Sequence, residues 1–250
     1  MTDYNLNELM ARYERMTARA VAECHFTTSL VGGQPGGEQG VRLYVAHHLK
    51  LEGEKAEQAV KRILTEEVGE REITPPAGEI VEAKVYGINI IRRDGYGPWL
   101  GDWMVKAMLK QAASRLGIFV TKRGTKGDMA EMGRARATGI SALDDEHLER
   151  IYLRSADGQS PADTHFERFT GRVQTPQGAK SIVTDAECAP AGTRFAFEYR
   201  FIGTRLSEEQ AADIFAAAMQ IGLGSAKAFE RGKFAITKLS YELAGQSITA

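Results

Sequence analysis

The sequence predicts a mixed α+β fold, on three observations. Apolar residues alternate along several short segments, most cleanly in Gly192–Phe201, where aromatics alternate with charged residues. In other segments they recur at helical spacing, as in Ala211, Ala212, Ile214, Phe215, Ala218 and Met219. The two kinds of segment interleave along the chain, as they do when helices cross over a sheet built partly of hairpins.

Taken in order, Leu6, Leu9, Met10, Tyr13 and Met16 predict a helix over residues 3–19. Ala20–Val31 reads as a strand, and it runs into the loop Gly32–Gly40 with its five glycines and Pro35. Arg42–Leu49 reads as a further strand, and Glu54–Glu67 as a helix with Ala56, Ala59, Val60, Ile63 and Leu64 on one face. Val81–Ile91 alternates as a strand does and stops at the turn residues Arg92-Arg93-Asp94-Gly95-Tyr96-Gly97-Pro98. Trp99–Leu116 reads as a helix burying Met104, Val105, Met108, Leu109 and Ala112. Residues 121–165 are the least regular, with a short helix expected at Ser141–Leu153, and they read as an inserted lobe on a core of residues 1–120 and 166–250. Phe166–Gln174, Ala179–Asp185 and Gly192–Phe201 follow as strands. Ser207 then opens a helix with Gln210 in capping-box position, and Phe234–Leu239 alternates as a last strand. The layout expected is an antiparallel sheet of the ferredoxin-like (RRM-like) kind, with helices on one face.

Composition bounds the function. At 250 residues, 43% hydrophobic and 26% charged, the chain has the make-up of a soluble globular protein. No apolar run approaches the roughly 18 residues of a membrane span, and the polar start does not read as a secretory signal. Cys24 and Cys188 lack CxxC or histidine neighbours, so they are expected as reduced core residues of a cytoplasmic protein. A net charge of −1 excludes bulk attraction to nucleic acid. Charge is nonetheless uneven: Gly101–Arg136 holds eight basic and three acidic residues, a balance of +5, which suits a defined groove.

Two regions carry candidate binding chemistry. Gly222, Gly224 and Gly232, with Ser225, Lys227, Arg231 and Lys233 among them, form a basic glycine loop between the Ser207 helix and the last strand. Such a loop can cradle phosphates through backbone amides, or it can serve as a helix stop. Lys106 and Lys110 share a helix face, and with Arg92, Lys122, Arg123, Lys126, Arg134 and Arg136 they could follow a phosphate backbone. Trp99, Tyr96 and Phe229 are candidates for stacking on bases. No GxGxxG opens a βαβ unit and no GxxxxGK[ST] occurs, so no nucleotide cofactor is expected. The five histidines form no metal or nucleophile constellation, and neither a metal nor a catalytic residue is expected.

Three pieces together resemble the repeat-associated (RAMP) superfamily, in particular the backbone subunits of CRISPR effector complexes. They are Phe26-Thr27-Thr28-Ser29-Leu30-Val31-Gly32-Gly33, then Gly97-Pro98-Trp99-Leu100-Gly101 with its basic helix, then Pro190-Ala191-Gly192-Thr193-Arg194-Phe195 leading to the Gly222–Gly232 loop. The resemblance implies a non-catalytic RNA-binding subunit that polymerises along guide RNA. It implies as partners guide or other single-stranded RNA, copies of the chain itself and other effector subunits, with target DNA or RNA left open, and no membrane. The chain departs from the family pattern at two places. Asp102 and Trp103 stand where hydroxyls and a lysine usually follow the glycine, with Lys106 displaced along the helix. The Gly32–Gly40 loop holds Glu38 but not the aspartate of members that cut target RNA. Two rival readings stay open: a metal-independent RAMP-type endoribonuclease processing precursor RNA, with His25 or His48 as its base, and an oligomeric structural protein without nucleic acid.

Overall fold

The computed structural model describes residues 17–68, 85–118, 137–139, 149–175, 178–202, 207–225 and 230–242. The expected helix over residues 3–19 lies outside them except at its end, where Thr17 already opens a strand. The protein is mixed α+β, with three sheets and four α-helices among the described residues.

The first strands are β1 (Thr17–Phe26), β2 (Leu30–Val31) and β3 (Gln34–Pro35), the last inside the glycine loop. Helix α1 (Glu38–Tyr44) continues as a π-helical turn over Val45–Leu49, where a strand was expected. A strand would put Leu43, Val45 and Leu49 on one face. Instead Val41 and Val45, four residues apart, are buried, while Leu43 and Leu49 are exposed. Helix α2 (Gly53–Arg62), extended by a π-helical stretch Ile63–Val68, buries Ala59, Val60 and Ile63 against them.

Strands β4 (Val85–Ile90), β5 (Arg92–Asp94) and β6 (Gly97–Gly101) come next, and helix α3 starts only at Asp102 (Asp102–Arg115). Arg92–Asp94 and Gly97-Pro98, expected in a turn, and Trp99–Gly101, expected in a helix, are therefore strand, because the hairpin turn is confined to Gly95 and Tyr96. All five residues of β6 are buried, so it lacks the alternation that marks a half-exposed strand. Strands β7 (Ala137–Gly139) and β8 (Arg150–Tyr152) follow; the latter replaces the end of the helix expected at Ser141–Leu153, whose earlier part lies outside the described residues. The chain closes with β9 (His165–Thr175), β10 (Gly178–Ala189), β11 (Arg194–Ile202), α4 (Glu208–Ile221) and β12 (Phe234–Glu242). Helix α4 begins as predicted: the Gln210 amide donates to Ser207 Oγ and the Ser207 amide to Gln210 Oε1.

The central sheet runs β12-β1-β11-β7, antiparallel throughout. Ala18, Ala20, Ala22, Cys24 and Phe26 of β1 face the same core as Phe195, Phe197 and Tyr199 of β11. Onto that face pack Val105, Met108, Leu109 and Ala112 of α3, and Ala211, Ile214, Phe215 and Ala218 of α4. Alanines along β1 leave room for the helices, and aromatics from the neighbouring strands fill the rest. Phe26 stacks on Phe195 at 4.7 Å, Phe195 meets Phe234 edge-on at 5.4 Å, and Phe197 stacks on Phe215 at 6.1 Å. The opposite face is charged: Glu198 lies 2.6 Å from the Arg19 guanidinium and also bonds Arg200. Burial opposes ionisation of Glu198, but the two guanidiniums outweigh it and hold its carboxyl below the usual range.

The second sheet is organised around β10. Its partners are β9, antiparallel along its length, β4, parallel with Ile182 opposite Val85, and β2, antiparallel with Cys188 opposite Val31. Strand β3 extends this sheet beyond β4, with Gln34 opposite Ile90. The third sheet, β5-β6-β8, places Arg92 opposite Trp99 and Trp99 opposite Tyr152. Both cysteines are free and buried, and burial raises the Cys188 thiol to about 12.

Candidate nucleic-acid interface

Three segments far apart in sequence meet around one cleft of about 340 Å³. Val31, Gly32, Gly33 and Gln34 form one wall, Trp99, Leu100, Gly101 and Trp103 a second, and Gly224 with Ser225 a third; Arg92 also lines it. The walls touch closely. A Cβ on Gly32 would lie 2.4 Å from the Ile90 carbonyl carbon, and one on Gly101 would lie 2.0 Å from the Trp103 ring. Gly224 has φ +80°, a conformation side chains disfavour, and approaches Leu30 and the Val31 carbonyl. Ser225 fastens this corner: its amide donates to Val31 O at 3.0 Å and its Oγ to Gly32 O at 2.6 Å.

The second wall is positioned by the β5–β6 hairpin. Asp94 Oδ1 accepts from the Tyr96 amide at 2.8 Å, and Oδ2 accepts from Arg150 at 2.7 Å and the Tyr152 hydroxyl at 2.8 Å. Burial, then the Asp94 carboxylate, raises the Tyr152 phenol well above its ordinary range, so it stays a donor. Strand alternation then sends neighbouring arginines to opposite sides. Arg93 reaches Thr164 at 2.8 Å and lies 3.6 Å from the buried Glu187. Arg92 turns to the cleft, where it donates to Gln34 Oε1 at 2.8 Å and lies 4.3 Å from the Trp103 ring centroid and 5.3 Å from that of Trp99.

Trp99 is 5% exposed and its other cationic neighbour is Arg150 at 5.0 Å, so it anchors the wall; Trp103, at 45%, offers an open ring. Within the walls two nitrogens, Gln34 Nε2 and Trp99 Nε1, are closed off from solvent and have no hydrogen-bond partner among the described residues. An unpaired buried polar group costs about 1–3 kcal/mol.

The remaining candidates from the sequence distribute as follows. Lys106 pairs with Asp102 one helical turn earlier, and Lys110 lies a further turn along α3. The amides of Gly222, Leu223, Ser225 and Gly232 all donate to carbonyls within the fold, so the loop's glycines serve close packing there. Arg231 bonds Ser29 Oγ and, at 3.0 Å, Glu167 Oε2, holding the loop to β9. Lys122, Arg123, Lys126, Arg134, Arg136, Lys227 and the stacking candidate Phe229 lie outside the described residues. Tyr96 is exposed and meets Tyr152 edge-on. His25 sits on β1 opposite Arg194. Sequence reasoning missed Gln34 and the open Trp103 ring. The one local signal was a lone amide between Gly33 and Pro35.

Among the described residues no group of three or more His, Cys, Asp or Glu could hold a metal, and no helix is long and apolar enough to cross a membrane. No family model matches the chain, and no curated protein does. Among solved structures the chain is similar to chains of CRISPR effector complexes. One belongs to the type III-B Cmr-beta bound to cognate target RNA, at 11% identity and a TM-score of 0.44, covering 94% of this chain and 64% of that one. Another belongs to a type IV-B CRISPR complex, at 11% identity and a TM-score of 0.40, covering 93% of each. The chain thus spans just under two thirds of the first of these.

Proposed function

We propose that the chain is a non-catalytic RNA-binding backbone subunit that polymerises along guide RNA in a CRISPR-type effector ribonucleoprotein. The observation that carries this is convergence: the three sequence pieces behind the RAMP resemblance supply the three walls of one cleft, with Arg92 beside an open tryptophan. The strand order supports a ferredoxin-like core. Numbered by their place in the chain, the central strands lie fourth, first, third, second, and α3 and α4 cover one face.

In this reading residues 1–120 and 166–250 form the binding core. Segment 121–165 is an insertion only in part, because its β7 is the second strand of the central sheet and its β8 pairs with β6. Arg92, Lys106 and Lys110 contact the strand, and Lys122, Arg123, Lys126, Arg134, Arg136 and Lys227 add phosphate contacts from neighbouring segments. Gly224 and Ser225 line the cleft, Gly222 holds their loop against Gly232, and Arg231 braces it. Each copy contributes little affinity at a net charge of −1, and repeated copies on one strand add their contributions.

The test is purification from a host carrying the neighbouring genes. Nucleic acid of uniform length should accompany the protein, and nuclease treatment should dissolve the oligomer. A nucleic-acid-free monomer, or an oligomer indifferent to nuclease, overturns the reading.

A further inference from the structure

Two arginines stand opposite one another on the face of the central sheet that the helices leave open. Arg154, two residues beyond β8, and Arg194, the first residue of β11, exchange both backbone hydrogen bonds at 2.8 Å, each amide donating to the other's carbonyl. Residues paired in this way have Cα atoms about 5.5 Å apart and side chains on the same side. That side is the one away from α3 and α4, because their chain neighbours Leu153 and Phe195 lie in the helix-covered core. His25 of β1 stands opposite Arg194 in turn, so His25, Arg194 and Arg154 form one row across adjacent strands.

Like charges directly opposite one another work against pairing. Among the described residues neither guanidinium has an ion pair or a side-chain hydrogen bond to offset this. Other arginines of the fold have carboxylates: Arg19 and Arg200 share Glu198, Arg150 has Asp94 and Arg168 has Asp185. The acidic groups close to the pair are engaged elsewhere. Asp157 accepts from the Ser155 hydroxyl and the Gln159 amide, and Glu23 lies 3.3 Å from Lys238. Both arginines border a space of about 380 Å³ that Glu23, Tyr152 and Gly158 also line. The Arg154 guanidinium lies 5.6 Å from the Tyr152 ring centroid, and Arg194 Nη1 lies 3.7 Å from where a Cβ on Gly158 would stand, so each guanidinium sits at a wall of that space. Arg194 is exposed and Arg154 half-buried, which leaves the pair open to a ligand from solvent. None of the residues around this space lines the cleft of Arg92 and Trp103.

We propose that Arg154 and Arg194 hold a phosphomonoester, with the group that carries it in the adjoining space. A guanidinium presents a planar fork of N–H donors and accepts nothing. A carboxylate has one charge and two oxygens, enough for one fork. A phosphomonoester carries about −1.5 to −2 charge at neutral pH and three acceptor oxygens, so it satisfies both forks and offsets both charges. The site goes beyond the RNA-binding reading and stands whether or not the cleft holds a strand.

Thermal unfolding of the full-length protein tests it, with chloride replaced by inorganic phosphate at constant ionic strength. Uridine 5′-monophosphate is then compared with uridine, and oligouridine ending in a 5′-phosphate with the same strand ending in a 5′-hydroxyl. The midpoint should rise with phosphate and with the monophosphate, but not with uridine. Arg194→Gln removes one charge and its fork. Without phosphate it should unfold at or above the midpoint of the unsubstituted protein, because the repulsion is gone, and it should need at least about tenfold more phosphate for the same rise. Arg154→Lys keeps the charge without the fork and should need about three- to fivefold more. If Arg194→Gln fails to fold, Arg154→Lys still decides. A free monophosphate as effective as the phosphorylated strand marks a small phosphomonoester as the ligand; a phosphorylated strand effective at least about tenfold lower marks the end of a nucleic acid.

Equal midpoints in phosphate and chloride overturn the proposal, as does an unchanged phosphate response in both variants. A lower midpoint for Arg194→Gln without phosphate also overturns it, since a carboxylate of the chain itself then holds the arginine. Equal effects of the phosphorylated and hydroxyl-ended strands, lost together in the variants, assign the pair to internal phosphodiesters and overturn it as well.

Discussion

The helix-covered face of the central sheet and the cleft beside it are built on opposite terms. On the sheet, Phe26, Phe195, Phe197, Phe215 and Phe234 meet one another in a dry aromatic core beneath α3 and α4. Around the cleft a half-buried guanidinium lies against the buried Trp99 and the exposed Trp103, two buried nitrogens have no partner among the described residues, and glycines admit no side chain. The first region favours one packing through apolar contact. The second leaves a guanidinium and an indole ring within reach of solvent beside tightly packed glycines. The difference teaches where stability and binding reside: deleting atoms from the first should unfold the protein, whereas changing atoms in the second should alter what it holds.

That contrast can be broken most forcefully at Phe197, fully buried between Phe195 and Phe215. Phe197→Ala should cost about 3–5 kcal/mol in denaturant unfolding. A cost near zero would mean the aromatic layer does not hold the sheet. Gly32→Ala sharpens the boundary between the regions, because its Cβ would lie 2.4 Å from the Ile90 carbonyl carbon. The strained wall should lose about 1–3 kcal/mol of stability, and RNA retention should fall with it.

Arg92→Ala removes the cation over Trp103 and the bond to Gln34 while leaving the sheet core untouched. We expect a change in tryptophan emission and a loss of about 1–2 kcal/mol in RNA affinity by anisotropy, with the unfolding midpoint little moved. Asp102→Asn works in the other direction. It releases Lys106 from its ion pair, so RNA should bind more tightly and the salt slope should steepen by about one phosphate contact.

The smallest effect lies on the charged face of the central sheet. The Glu198 carboxyl, held below its usual range by Arg19 and Arg200, contributes stability above the unfolded carboxylate pKa and loses it as pH falls through the folded value. Both arginines are 45% exposed, so the contribution is under about 1 kcal/mol. Glu198→Gln should flatten the acid side of the stability profile without changing RNA binding at neutral pH.

Several parts of this protein were determined by the sequence itself, since they depend on neighbours a few residues away. The Ser207–Gln210 cap, the alternation in β1 and β11, and the α4 face built from Ile214, Phe215 and Ala218 are of this kind. Short apolar runs were ambiguous for the same reason. Leu43, Val45 and Leu49 fit a strand as well as a helix until α2 supplies a surface that Val41 and Val45 reach and the exposed Leu43 and Leu49 do not. Trp99 belongs to a strand because β5 and β8 lie on either side of it, which its immediate neighbours do not specify. Tertiary structure alone assembled the cleft: the ladder from Gln34 to Ile90, the hairpin from Arg92 to Trp99, and the Ser225 bonds to residues 31 and 32 are all non-local. Local periodicity encodes which face of an element is apolar. Which buried donors stay without partners is decided only when distant strands come into register.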